Sequence, residues 1–296
     1  MDFTGVIAYP VTPFTASGEV NLNELRRMIS SLAASSVDAI TVLGSSGSFA
    51  YLDREERAAV VGAAVEEAAA VNPALPVYAG VSAVATREIL ASAADAEDAG
   101  VAGLVVSAVS YVPLTIEEVA TQSRTLAERT DLPICLYNNP STTQFDFPVE
   151  LVAELATVAN IVALKDPGTS REAYDERLAA LREVTPREFS LGMSGDTSIV
   201  DNAVAADAWH SGPAALLPEQ YVRLRGALVA DDAAGFSSCR EVLTPVIHAL
   251  AAQRKLSSLH SLARACGWDA GDPRLPLLPV PGSQQRELAR LIDLLD

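Results

Sequence analysis

Short apolar runs alternate along the chain with longer stretches in which apolar residues return every three or four positions, the form taken by successive βα units. The runs that qualify as strands are Val6 to Tyr9, Ala39 to Leu43, Val77 to Ala79, Gly103 to Val106, Ile134 to Tyr137, Ile161 to Lys165, Phe189 to Gly192 and Ala208 to Ser211. Helical patterns fill the spaces between them: Asn23 to Ser35, Arg54 to Ala70, Thr86 to Ala99, Ile116 to Arg129, Pro148 to Ala156 and Arg171 to Val184. Start signals agree with this division, since Asp53 precedes the Arg54 stretch with Glu56 three positions on, and Thr115 is followed by Glu117 and Glu118. Stop signals agree too, at Asn72-Pro73, Ala99-Gly100 and Thr185-Pro186.

Eight such units account for residues 1–230 and predict an α/β fold, a (β/α)8 TIM barrel. Residues 231–296 carry no strand pattern and are expected to form a C-terminal helical region packed on the barrel, interrupted between Asp272-Pro273 and Pro281-Gly282. An open doubly wound sheet competes, but the strand count and the lack of GxGxxG after the first strand favour closure.

Composition narrows the function. Of 296 residues, 49% are hydrophobic and 20% charged, enough apolar material for a sizeable core. The net charge of -17, from 38 acidic against 21 basic residues, opposes binding to nucleic acid or an anionic membrane surface. Cys135, Cys239 and Cys266 form neither a disulfide ladder nor a paired zinc spacing, which fits a reducing compartment. Met1-Asp2-Phe3-Thr4-Gly5 lacks a basic region followed by an apolar stretch, and no run of about 18 apolar residues follows. A cytoplasmic location is expected.

Lysine is the most informative residue type. The chain has two, Lys165 and Lys255, and arginine supplies every other basic side chain. In Asn160-Ile161-Val162-Ala163-Leu164-Lys165-Asp166-Pro167-Gly168 the amine ends an apolar run, at the C-terminal rim where such barrels place chemistry. Desolvation there lowers a lysine's pKa and leaves free amine to attack a carbonyl; the competing reading is a strand-end lysine paired with Asp166 in solvent. Tyr137 ends the preceding strand, so phenol and amine can address one small substrate, with the phenol as proton carrier or simply as an aromatic plug. After the second strand, Gly44-Ser45-Ser46-Gly47-Ser48 offers backbone N–H groups and hydroxyls suited to a carboxylate, although glycine and serine also make ordinary turns.

Together these elements resemble the dihydrodipicolinate synthase and N-acetylneuraminate lyase family of class I pyruvate-dependent aldolases. The resemblance spans nearly the whole chain. It is carried by Ala8-Tyr9-Pro10-Val11-Thr12-Pro13-Phe14 with Gly18 and Val20, by Gly44-Ser45-Ser46-Gly47, by Leu52-Asp53-Arg54-Glu55-Glu56-Arg57, by Tyr137-Asn138-Asn139-Pro140, by Leu164-Lys165-Asp166, and by the 28-residue step from Tyr137 to Lys165. It implies a barrel with a helical tail, a homodimer or homotetramer, and an imine between Lys165 and pyruvate or another 2-oxo acid, with an aldehyde as second partner. By match, Tyr137 moves protons, Ser46 hydrogen-bonds Tyr137, and Ser45 with Ser46 binds the carboxylate beside Gly47. No metal or cofactor is implied.

Departures from the family pattern matter as much. Ser48 stands where the family's loop closes with Glu, and Val109 and Ser110 stand where it has two tyrosines. Tyr111, one residue further on, either replaces the missing phenol or is an interface or surface aromatic. Thr142 occupies the position of the arginine that binds the second substrate's carboxylate in lysine-biosynthetic members, which argues against dihydrodipicolinate synthesis. His210, at an ordinarily aliphatic position, either contacts an aldehyde or hydroxyl or is a packed imidazole satisfied by backbone. Ser194-Gly195-Asp196 forms a further rim loop with Ser194 as a substrate contact.

Two other functions compete: a non-catalytic 2-oxo-acid sensor and a Schiff-base 2-oxo-3-deoxy-acid dehydratase. A metal-dependent aldolase or amidohydrolase has little support, because the histidines are His210, His248 and His260 and the last two lie in the tail.

Overall fold

The computed structural model describes residues 3–168 and 170–295. The strands are β1 (Gly5–Ala8), β2 (Ala39–Val42), β3 (Val77–Gly80), β4 (Gly103–Ser107), β5 (Ile134–Tyr137), β6 (Ile161–Pro167), β7 (Ser190–Ser194) and β8 (Ala208–Ser211), closed in sequence order into a parallel barrel. Helices α1 (Leu22–Ala33), α2 (Arg54–Val71), α3 (Thr86–Asp98), α4 (Ile116–Ala127), α5 (Pro140–Thr143), α6 (Val149–Leu155), α7 (Arg171–Val184), α8 (Asp196–Asn202) and α9 (Pro218–Val229) follow β1 to β8. Then come α10 (Ala233–Ala251), α11 (Lys255–Ala265) and α12 (Gly282–Ile292), the helical extension anticipated from the tail. No described helix is long and apolar enough to cross a membrane.

Local signals set the helix starts: Asp53 and Glu56 form a reciprocal capping box on α2, and Thr115 with Glu118 does the same on α4. Two elements were not foreseen. The short α5 and α8 occupy segments expected to be loops, and α8 starts at Asp196 itself. Strands β6 and β7 also run two residues further than the apolar runs, because ladder hydrogen bonds continue through Pro167↔Ser194 where polar residues end the periodicity.

Strand alternation sorts the core into two layers. Outward residues such as Leu104, Leu136, Leu164 and Leu191 pack beneath the helices, while Ile7, Ala39, Tyr78, Val105, Cys135, Ala163 and Ala208 fill the barrel. The lower end is closed by Phe3 stacked on Tyr78, with ring centroids 4.0 Å apart. The tail is tied back across the first units: Arg274 donates to Glu56 and to the Gly18 and Tyr51 carbonyls, and Phe14 N–H donates to the Ala270 carbonyl. These bonds bring α11 over the C-terminal end of the barrel.

Candidate active site

The parity that puts Ala163 inside and Leu164 outside also puts Lys165 inside and Asp166 outside. Lys165 is 5% exposed. Asp166 faces the other way, accepting hydrogen bonds from Asn138 at 2.7 Å and from Arg177 on α7. The solvent-exposed Lys165–Asp166 pair entertained from sequence is therefore excluded by strand alternation.

Register sets the neighbours of the amine: Tyr137 pairs with Lys165, and Lys165 with Gly192. The Lys165 Nζ lies 3.9 Å from the ring centroid of Tyr137 and 3.9 Å from that of Tyr9. Two aromatic faces thus enclose the nitrogen and favour its cation without a carboxylate partner. Burial pushes the Lys165 pKa below the ordinary lysine range, partly opposed by Tyr137, and the positive charge of Lys255 adds to the depression. Burial raises the Tyr137 phenol, but the Lys165 and Lys255 charges and the hydrogen bond to Ser45 prevail and hold it below an ordinary tyrosine. Cys135, behind this pair in the interior, is pushed up to about 12 by burial and stays a thiol.

Tyr9 was quoted from sequence only as part of a motif, yet it forms one wall of the site. Its hydroxyl bonds His210 Nδ1 at 2.8 Å across the β1–β8 seam. Burial drives the His210 pKa well below that of free imidazole and the Tyr9 phenol well above its ordinary range, so both are neutral. His210 is a packed imidazole, as one reading held, but its partner is a phenol rather than backbone. Its Nε2 is buried without a hydrogen-bond partner. Two glycines make room for the pair: a Cβ on Gly44 would stand 2.5 Å from Tyr9 Cδ1, and one on Gly192 would stand 2.4 Å from His210 Nε2. Gly192→Ala is accordingly expected to lower stability by about 1–3 kcal/mol in denaturant unfolding, the usual cost of overpacking a rigid core; an unchanged midpoint would show that the imidazole yields freely.

The Ser45–Ser48 loop curls tightly between Leu43 and Ser48, both in the left-handed region at φ 56° and 57°. Ser45, at the rim, is the loop serine whose hydroxyl helps to lower the Tyr137 phenol, whereas the resemblance gave that partnership to Ser46. The curl turns Ser46 toward β8 instead, where its Oγ lies 2.6 Å from the position a Gly212 Cβ would occupy. Gly47 is committed within the loop, its N–H to the Gly44 carbonyl and its own carbonyl to the Thr12 hydroxyl. Ser48 is buried with its Oγ unpartnered.

The other candidates hold other partners or face solvent. Ser194 is buried and donates to the Asp166 carbonyl at 3.3 Å. Tyr111 is 92% exposed on the loop after β4. Thr142 is exposed on α5. His248 bonds Asp201, and His260 bonds the Ala270 and Gly271 carbonyls, so neither joins His210. Sequence reasoning placed Asp196 in a rim loop but missed two contributors besides Tyr9: Lys255 and Arg177. The scarcity of lysine was the one available pointer to Lys255.

Known proteins resemble this chain over nearly its whole length. A model described as "Dihydrodipicolinate synthetase family" matches residues 2–295. The 4-hydroxy-tetrahydrodipicolinate synthase of Synechococcus elongatus is 30% identical, covering 97% of this chain and 94% of that one. The 4-hydroxy-tetrahydrodipicolinate synthase 2 of Halalkalibacterium halodurans is 28% identical over 99% of this chain and 98% of the relative. Among solved structures, the crystal structure of dihydrodipicolinate synthase from Agrobacterium tumefaciens superposes with a TM-score of 0.93 at 33% identity, covering 99% of this chain and 98% of that one.

Proposed function

Since the chain belongs to the dihydrodipicolinate synthetase family, a Schiff-base lyase and aldolase family, we propose that it joins or cleaves a 2-oxo acid, pyruvate or a close relative, and an aldehyde through an imine on Lys165. The observation that carries this reading is the buried Lys165 Nζ held 3.9 Å from both Tyr137 and Tyr9. In the proposed reaction the amine attacks C2 of the 2-oxo acid and water leaves, giving an iminium that draws electrons from C3. Loss of a C3 proton yields an enamine, which attacks the aldehyde carbon to form the C3–C4 bond; hydrolysis then releases product and restores Lys165. Cleavage follows the same steps in reverse. Tyr137, beside the amine and with its pKa lowered by that charge, would carry protons during dehydration and at C3. Ser45 and Ser46 supply donors for the C1 carboxylate.

The test is borohydride reduction with pyruvate followed by intact mass and peptide mapping: one pyruvate-derived adduct is expected, on Lys165. An adduct without condensation or cleavage across a panel of aldehydes and 2-oxo-3-deoxy acids would favour the sensor reading.

Thr142 sets the proposed specificity. With no cation on α5, a carboxylated aldehyde approaching from that side lacks the counter-ion that lysine-biosynthetic relatives use, so dihydrodipicolinate synthesis is not the assigned reaction. Thr142 is exposed, which leaves room for a longer side chain. Thr142→Arg is expected to raise kcat/KM for aspartate semialdehyde by about tenfold while leaving neutral aldehydes within about twofold. Equal gains for both would show that charge at this position does not discriminate. The proposal includes assembly as a homodimer or homotetramer, supported by the exposure of Tyr111 and of Val112 beside it.

A further inference from the structure

A cavity of about 240 Å³ opens beside the barrel's C-terminal end, where α8 and α10 meet α11. Asp196, Thr197, Gln253, Lys255 and Ser258 supply its polar wall, and Leu259 stands among its apolar residues. Its position follows from the fold. Asp196 begins α8 directly after β7, and Leu259 lies 3.1 Å from the point where a Cβ on Gly212 would sit, with Ser46 Oγ 2.6 Å from that same point. One side chain therefore separates the cavity from the loop proposed to hold the C1 carboxylate.

Two features give the cavity a charge preference. Lys255 has no ion-pair partner within 4.0 Å among the described residues, in a chain with 38 acidic side chains. Asp196 lines the same cavity but does not pair with it; its Oδ1 instead accepts hydrogen bonds from Ser211 and Tyr221. The cation is thus left for a ligand. Its field also reaches both reacting groups, since Lys255 contributes to the depression of Lys165 and of Tyr137. No other lysine exists outside the barrel, and Thr142 leaves α5 without a cation.

We infer that Lys255 is the counter-ion for an acidic group on the distal part of the substrate, so that the enzyme takes 2-oxo acids whose chain beyond C3 ends in a second carboxylate, with C1 at Ser45 and Ser46. This rests on the imine reading, and it reverses the approach: the distal anion enters from the α11 side rather than over α5. Thr197, Gln253 and Ser258 provide donors and acceptors along the path for hydroxyls on that chain.

Borohydride trapping at Lys165 tests this without requiring carbon–carbon bond formation. The parent protein and Lys255→Met are titrated with 2-oxoglutarate, 2-oxoadipate and 2-oxopimelate, each against the neutral-tailed acid of equal length, 2-oxopentanoate, 2-oxohexanoate and 2-oxoheptanoate. For at least one length, the parent is expected to reach half-maximal trapping at about tenfold lower concentration with the diacid. Lys255→Met is expected to abolish that preference, read within each protein as the ratio of half-maximal concentrations for diacid and neutral-tailed acid so that any common change in Lys165 reactivity cancels, and Lys255→Arg to keep it. Lys255 is exposed at the start of α11, so these replacements spare the core. No diacid preference at any length, or one that survives in Lys255→Met, overturns the inference and leaves the imine reading standing. Failure of the parent to trap pyruvate overturns both.

Discussion

Lys165→Ala is expected to remove the borohydride-trappable pyruvate adduct altogether and to lower turnover at least about a thousandfold, because no other amine stands between the two tyrosine rings. The parent reaction should also carry a pH signature. Burial lowers the Lys165 pKa, so the free amine is present at lower pH than for an ordinary lysine, and imine formation should rise with pH to a plateau reached below the ordinary lysine range. Trapping rates measured across pH at saturating pyruvate report this limb. A midpoint at the value of free lysine would mean that the amine is solvated, and the proposed nucleophile would be lost with it. Loss of the adduct in Lys165→Ala with retention of cleavage activity would move the chemistry elsewhere.

Tyr137→Phe is the second large effect. It keeps the aromatic face over Nζ and removes only the hydroxyl, so the loss reads proton transfer rather than packing. Imine formation is expected to slow by about 10²–10⁴-fold, the range of a positioned general acid–base group. The sign of a further shift follows from the local charges. Tyr137 raises the Lys165 pKa by attraction, so its removal should carry the limb of the pH profile to lower pH even as the rate falls. A rate within about threefold of the parent would reassign Tyr137 to the role of aromatic plug.

The alternation of β and helical periods was enough for the barrel and its helical extension, because each βα unit buries its own strand and the pattern is local. The short α5 and α8 were not legible: at four and seven residues they are too short to establish a helical period. The strand ends beyond Lys165 and Gly192 were missed for a related reason, since ladder bonds continue through polar residues while hydropathy does not.

What the sequence alone determined about the site was the pair Lys165 and Tyr137, each ending a strand-forming run, and the glycine–serine loop after β2. Their spacing along adjacent strands places them side by side whatever the rest of the chain does. Tertiary structure decided which way the amine points, because one step of strand parity exchanges the interior for the helix layer and so exchanges Lys165 with Asp166. It alone joined Tyr9 to His210, 201 positions apart, since only closure of the barrel makes β1 and β8 neighbours. It also carried Lys255 from the tail to the mouth, through the bonds of Arg274 and Ala270 to the first units of the fold. Such contacts arise from three-dimensional closure and leave no period in the chain to read.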